Sequence, residues 1–347
     1  MLRDIVVTPS PHISKPMSTR SVMLDVAIGL APAVLVAAYY FRSRAVAVIA
    51  TCVVACMVSE WLCNVLRRLP QPHASLGDLS ALVTGIILAL SLPPAIPMWA
   101  AVVGSVVSIA IGKMVFGGLG SNVFNPAMVG RTFMAASFGA LMTTWSVPAT
   151  IPADSYTIKA DNLIEARTQA TPLGWSKQAW KTRAKDTEAS KQYAAHVNDN
   201  IKAAVLGEVG GCLGETSALA LLIGGIYLLI RKTISFHLPL AVLLAAFIFS
   251  GIVHIARPES TLTPMAHVSS GALLLGAFFI ATDPVTAPLT RRGMWLFGAG
   301  IGAVTILIRV FGEYPEGFMY AVLLMNALTP LIDRLFKRVP TGGKPNV

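Results

Sequence analysis

The chain has 347 residues, of which 54% are hydrophobic and only 13% charged, with a formal net charge of +10. Soluble domains carry about 25% charged residues, so this composition excludes an ordinary soluble domain and points to an integral membrane protein. The positive balance does not indicate a nucleic-acid partner: Lys and Arg cluster just outside apolar segments, as membrane orientation requires, and no basic stripe suited to a phosphate backbone is present.

In chain order, "MLRDIVVTPSPHISKPMSTR" offers no small-residue cleavage site ahead of the first apolar run. That run is therefore expected to stay as a membrane anchor. A helix needs roughly 17–25 apolar residues to cross the hydrocarbon core. Ten such spans are read near 22–40, 45–66, 79–97, 98–116, 123–143, 213–231, 236–256, 265–283, 295–311 and 317–336. Between the fifth and sixth lies a polar stretch, 144–212, rich in Lys, Asp, Asn, Thr and Gln. The expected fold class is an all-α integral membrane protein of about ten transmembrane helices.

With the N-terminus inside, the short cytoplasmic pieces hold Arg3, Lys15, Arg20, Arg67, Arg68, Arg231, Lys232, Arg291, Arg292, Arg334, Lys337, Arg338 and Lys344. The opposite short loops hold only Arg42, Arg44 and Arg257. The positive-inside rule then places both termini in the cytoplasm and the 144–212 stretch outside. The expected organisation is a cytoplasmic segment 1–21, a five-helix membrane unit 22–143, the outer polar segment 144–212, a second five-helix unit 213–336 and a cytoplasmic tail 337–347.

The two units resemble each other. Residues 82–120 parallel residues 273–317, setting Gly85 against Gly276, Pro93 against Pro284, Pro97 against Pro288, Trp99 against Trp295 and Lys113 against Arg309. Units with an odd number of spans have opposite topology, and inverted repeats with Pro- or Gly-broken helices frame a polar site near the bilayer midplane. Pro93-Pro94 and Asp283-Pro284 read either as such breaks or as ordinary kinks tolerated by their neighbours.

Ionisable residues within apolar spans are costly and become functional candidates. Asp283, at the broken position of the eighth span, and Glu60, in the second and expected near the interface, are candidates for an ion pathway. Lys113 and Arg309, near span ends, read as snorkelling side chains. Asn125 and Arg131 occupy the fifth span and Asn326 the tenth; each reads as a helix–helix bond, a cap or a pathway residue. His254 and His267 read as interfacial. Cys52, Cys56 and Cys63 fall near one helix face, which suits small apolar packing residues better than a cluster site lacking a matching fourth ligand. "GGLGSN" (117–122) reads as a turn, since no strand precedes it.

The polar stretch contains "EARTQATPLGW", residues 165–175. A threonine hydroxyl near Arg167, Lys177, Lys181 and Arg183 could carry a phosphodiester balanced by those cations, and Trp175 and Trp180 could face a bound ring. This run resembles the flavinylation signature Asp-x-x-(Ser/Thr)-x-Ala-Thr, in which the last threonine takes FMN through a phosphoester. Thr168 matches the Ser/Thr position, Ala170 the alanine and Thr171 the acceptor, followed by Pro172 and Leu173. Glu165 stands where the signature has Asp, and Gln169 where Gly is common.

"SPHISKPMSTRSVML" (10–24), "FNPAMVGR" (124–131), "ATDPVTAPLTRRG" (281–293) and "FGEYPEGFMYAVLLMNALTPLIDR" (311–334) extend the resemblance over nearly the whole chain. Together they resemble the RnfD family, membrane subunits of the Rnf electron-transport complex, whose relatives are the NqrB subunits of the Na+-translocating NADH:quinone reductase. The resemblance implies an electron-transfer subunit of a multi-subunit complex in the bacterial inner membrane. Its partners would be iron–sulfur and flavin subunits, and its cofactors covalent FMN on Thr171 on the periplasmic side and a possible riboflavin. Electrons would pass between NADH and ferredoxin with Na+ or H+ translocation. The glycine-rich turn at 117–122 and the Asn125–Arg131 segment are the candidates for a second flavin. Two other readings stand beside it: the quinone-reductase subunit, and a urea-channel-like solute transporter without flavin.

Overall fold

The computed structural model describes residues 18–145, 171–182, 211–258 and 261–337. Glu165, Arg167, Thr168, Gln169, Ala170 and Arg183 lie outside the described residues, as do both termini and most of the polar stretch. Among the described residues the structure is helical, with no strand.

The first two expected spans form one helix, α1 (Thr19–Leu66), whose two arms meet at Arg42, held at φ 52° and ψ −134°. No proline or glycine separates the arms, so a single left-handed residue makes the turn. The Ser18 hydroxyl caps the start by accepting from Ser21 N at 3.2 Å. The arms return to the same end: Val22 and Lys113 line one pocket, and Lys113 holds Glu60 of the second arm.

α2 (Ser80–Leu90) stops short of its expected span. Pro93, Pro94 and Pro97 lack the N–H a helix needs and bias the residue before each toward extended backbone. The chain therefore runs non-helical to α3 (Met98–Ile109), which continues through a π-helical turn, Ala110–Met114. α4 (Pro126–Ser137) begins with Pro126 in the first turn, and Asn125 Oδ1 accepts from Met128 N at 3.3 Å. This is a favoured helix start, since a proline there gives up no hydrogen bond. α5 (Gly139–Met142) follows, and then α6 (Pro172–Thr182).

The sixth expected span is helical only as α7 (Ala218–Ile230), residues 211–217 being irregular. α8 (His237–Ala256) is regular. The eighth expected span is broken into α9 (Pro264–Ser269) and α10 (Leu273–Leu275), the latter running into a π-helical turn, Gly276–Ile280. α11 (Arg291–Phe311) and α12 (Phe318–Leu335) complete the described chain. By length and composition α1, α8, α11 and α12 could each cross a membrane, and α2, α3 with its π turn, and α7 are shorter apolar helices. A continuous buried core, including Leu30, Leu88, Met134, Leu213, Phe297 and Phe318, joins elements from both halves. Leu35, Val54, Ile223, Ile255 and Leu335 point outward.

Each break in a buried helix frees backbone carbonyls that need new partners, because no water is at hand to satisfy them. At the end of α2, Leu90 O accepts from Gly214 N at 2.6 Å and Leu92 O from Leu213 N at 3.0 Å. A Cβ on Gly214 would lie 2.9 Å from Leu90 O, so this approach requires glycine. At the break between α9 and α10, Arg309 donates from Nη1 to His267 O (2.6 Å) and from Nη2 to Ser270 O (3.0 Å). One break is sealed by backbone and the other by a guanidinium.

Candidate functional site

Four groups of polar side chains stand out between the helices. The first is a pocket of about 690 Å3, mouth included, lined by Ser80, Thr84, Lys113, Asn122, Asn125 and Asp283 among others. Asp283 Oδ1 accepts from Val285 N and Oδ2 from Thr286 Oγ1, both at 3.2 Å, so the carboxylate caps the turn after the π-helical segment. Asn125 lies across from it, with Nδ2 donating to Ile280 O at 3.4 Å.

The second group lies beside this pocket. Lys113 Nζ donates to Glu60 Oε2 at 2.8 Å and to Ser80 Oγ at 2.6 Å, with Lys113 and Glu60 each 1% exposed. This corrects two expectations: Lys113 is not a snorkelling residue and Glu60 is not interfacial. Because the π turn carries Lys113 inward toward α1 and α2, the charge is matched inside the protein rather than at its surface. Glu60 reaches the pocket only through Lys113.

The third group is the Arg309–Glu316 pair. Glu316 Oε2 accepts from Arg309 Nη2 (2.9 Å) and Ala272 N (3.0 Å), and Oε1 from Gly317 N (2.9 Å) and Phe318 N (3.0 Å). Arg309 is likewise buried, so the snorkelling expectation fails here too. His267, expected at an interface, is buried with its carbonyl taken by Arg309. Gly271, at φ +71°, passes so close that a Cβ there would meet Leu173 Cδ1 at 2.6 Å and Arg309 Nη2 at 2.8 Å.

That contact ties the pair to α6. Thr171 caps α6, its Oγ1 accepting from Gly174 N at 3.0 Å, and is buried. Leu173 packs with Leu262 and Ala266. Lys177 Nζ donates to the last carbonyls of α11, Arg309 O (3.3 Å) and Val310 O (3.2 Å), where a cation is favoured by the helix dipole. Burial pushes the Lys177 ammonium below its ordinary value. Lys181 pairs with Glu313 at 2.8 Å, and Trp180 meets Phe311 edge-on. The two described lysines and Trp180 therefore dock α6 onto α11 instead of forming the open basic and aromatic surface read from the sequence. A phosphoryl group on Thr171 would stand at the N-terminus of an eleven-residue helix, where first-turn N–H groups and the dipole favour negative charge. The residues fit such a group.

The fourth group is Arg131, Cys212 and Glu215. Arg131 Nη2 donates to Cys212 Sγ at 3.6 Å and lies 3.6 Å from Glu215 Oε1. Asn125 and Arg131, read together from "FNPAMVGR", are thus separated: Asn125 faces the pocket, while Arg131 points to the segment before α7.

Sequence reasoning missed Glu215, Glu316 and Asp25, for different reasons. Glu215 and Glu316 fall outside or at the rim of apolar runs and look like loop acids. Asp25, at the start of α1, is buried against Thr233 Oγ1 (2.9 Å), Tyr227 Oη (3.2 Å) and Arg231 Nη2 (3.3 Å). The single acid in the first apolar run was the available signal. Cys52 and Cys56 are buried in apolar clusters, as packing residues would be.

The likeness to known proteins runs through all of these blocks. The NQR2, RnfD, RnfE family model matches residues 6–342. The chain belongs to this family. It is 40% identical over 334 residues to the D subunit of the Na(+)-translocating ferredoxin:NAD(+) oxidoreductase complex of Acetobacterium woodii, covering 96% of this chain and 94% of the relative. It is 38% identical over 342 residues to the D subunit of the proton-translocating ferredoxin:NAD(+) oxidoreductase complex of Clostridium ljungdahlii, covering 97% and 96%. It is 39% identical over 348 residues to the D subunit of the ion-translocating oxidoreductase complex of Stutzerimonas stutzeri, covering 95% of each.

Proposed function

We propose that this chain is the membrane flavoprotein subunit of an Rnf-type complex that moves electrons between NADH and ferredoxin, coupled to Na+ or H+ translocation. The observation that carries this reading is full-length similarity to relatives named as the D subunits of such complexes. The quinone-reductase alternative belongs to the same family, but these relatives are named for ferredoxin:NAD(+) or ion-translocating oxidoreductase complexes. A solute channel without flavin has no use for Thr171 and its docked helix.

In this reading the ten spans form two inverted five-helix repeats, both termini are cytoplasmic, and Thr171 faces the periplasm. FMN is joined to Thr171 by a phosphoester, within the signature formed with Thr168, Ala170, Pro172 and Leu173. When bound, the flavin exchanges electrons singly or in pairs. The chain's own residues fix the tether: Thr171 opens α6, Leu173 seats it against α9, and Lys177 binds it to the end of α11. The polar-lined pocket around Asn125 and Asp283 is where we place a riboflavin. Asp283 belongs to the ion pathway at the same end, with Glu60 behind Lys113. The partners are the iron–sulfur and flavin subunits of the complex.

Denatured, gel-resolved protein from a host with the flavin transferase should fluoresce under ultraviolet light, with an FMN-sized mass increment on the peptide containing Thr171. Thr171→Ala should lose both signals. Parent protein showing neither would end the covalent-flavin reading. Asp283→Asn should reduce ion uptake by vesicles at unchanged covalent FMN on Thr171, and unchanged uptake would remove Asp283 from the pathway.

A further inference from the structure

Among the three buried ion pairs described above, one is incompletely made. Lys113–Glu60 and Arg309–Glu316 close at 2.8 and 2.9 Å. Glu316 has both oxygens bonded, and Arg309 leaves only Nε without a partner. Arg131–Glu215 stays at 3.6 Å, with Arg131 Nε and Nη1 and Glu215 Oε1 all buried and lacking a hydrogen bond. Arg131 is 3% exposed. Glu215 Oε2 accepts one long bond, 3.4 Å, from Cys212 N. A buried polar group left without a partner is costly, and more so when charged. Three such atoms within one pair mark a place shaped for something besides the protein.

Its position is informative. Leu213 and Gly214 hydrogen-bond to the end of α2 at Leu92 and Leu90, and α2 rises about 15 Å from Ser80 to Leu90 at 1.5 Å per residue. Glu215 therefore lies beside the end of α2, about 15 Å along it from Ser80, a distance about half the thickness of a hydrocarbon core. The Asp283 pocket lies toward the start of α2. Arg309 and Glu316 lie near the far end of α11. The groups acting on Glu215 are Arg131 from α4, Glu316 from the loop before α12 and Cys212 from its own segment.

The geometry points to a second cation site in the membrane core, in which the transported Na+ or proton competes with Arg131 for the Glu215 carboxylate. The inference rests on the ion-coupled reading above and adds a station beside the end of α2 that Asp283 and Glu60 do not supply. Without the cation, the guanidinium offsets the carboxylate loosely, at 3.6 Å. A Na+ or proton arriving at Oε1 takes over that role, and Arg131 moves toward Cys212, where its Nη2 already reaches the sulfur at 3.6 Å. When the cation leaves, the carboxylate regains its charge and Arg131 returns; while the cation is bound the site carries one net positive charge, a cost in a buried place that favours release. A loose pair suits this exchange: a fully bonded one such as Arg309–Glu316 would resist replacement by a cation.

The test uses the assembled complex in proteoliposomes, driven by reduced ferredoxin and NAD+, with 22Na+ uptake and a pH-sensitive dye as separate arms. Glu215→Gln should retain flavin and electron transfer under uncoupled conditions while losing uptake in whichever arm the parent uses. Glu215→Asp keeps a carboxylate, and should weaken the apparent cation affinity on the order of tenfold, the scale of a disturbed ligand shell. If Glu215→Gln fails to assemble, the Asp variant decides. Parent-like uptake by Glu215→Gln, or an unshifted Na+ or pH dependence in Glu215→Asp, would overturn the site. A parent complex that moves neither ion would instead sink the coupled function itself.

Discussion

Arg309–Glu316 and Arg131–Glu215 have the same chemistry and similar burial but opposite degrees of completion. The first combines a 2.9 Å contact with three backbone N–H bonds to Glu316 and two backbone carbonyls on Arg309. It also closes the carbonyls freed between α9 and α10, so the pair is part of the backbone's own satisfaction. The second sits where those duties are already discharged, because Leu213 N and Gly214 N seal the α2 break. Relieved of a backbone role, Arg131 and Glu215 can remain loose. A buried ion pair contributes rigidity when it replaces lost helix hydrogen bonds, and remains available for exchange when it does not.

Replacing Arg309 should have the largest effect. Arg309→Met strands Glu316 and two carbonyls, and breaking a buried pair from one side costs roughly 3–5 kcal/mol. Thermal unfolding of the detergent-solubilised complex should show it as a large drop in midpoint or loss of the subunit from the membrane. Arg131→Met should cost less, because it removes one long ion contact and one thiol contact. Equal losses would abolish the distinction between the two pairs.

Gly271→Ala should follow. It places a Cβ at φ +71° against Glu316, Leu173 and Arg309, a strain of about 1–3 kcal/mol. Limited proteolysis should cut α6 free sooner, since the new methyl crowds Leu173 as well as the Arg309–Glu316 pair. Thr171→Ala removes the cap of α6 at about 1 kcal/mol, with the flavin signals lost as well. Thr171→Ser keeps the capping hydroxyl and should restore the protection of α6, which separates the structural from the covalent role.

The smallest effect concerns the exposed Lys181–Glu313 pair. Lys181 holds the Glu313 carboxyl below its ordinary value, so its contribution is present above that ordinary value and lost as pH falls through the lower folded one. Exposed pairs are weakly stabilising, and Glu313→Gln should leave the unfolding midpoint unchanged across that pH range. A measurable loss would mean that docking of α6 depends on this contact rather than on Leu173 and Lys177.

Much of this molecule could be read along the chain. Apolar run length and low charge are properties of local sequence, so membrane class, the positions of most helices and the proline breaks at Pro93-Pro94 and Asp283-Pro284 were legible. Thr171 caps α6, with Pro172 in its first turn, a role that came from the structure and not from the signature. The partners of charged residues were not legible. Lys113 and Arg309 looked like span-end lysine and arginine, and Glu215 and Glu316 like loop acids, because burial depends on which segments meet across the fold. Pairing Glu60 with Lys113 joins residues 53 positions apart, and Arg131 meets Cys212 across 81. Sequence alone determined that this chain enters the membrane and that helices stop at Pro93-Pro94 and Asp283-Pro284, since hydropathy and missing proline N–H groups act locally. The break between α9 and α10 and the turn at Arg42 carry no proline and were not legible. Tertiary structure alone decided which breaks are sealed by backbone, which by a guanidinium, and which charges are left to exchange, because those outcomes depend on long-range contacts.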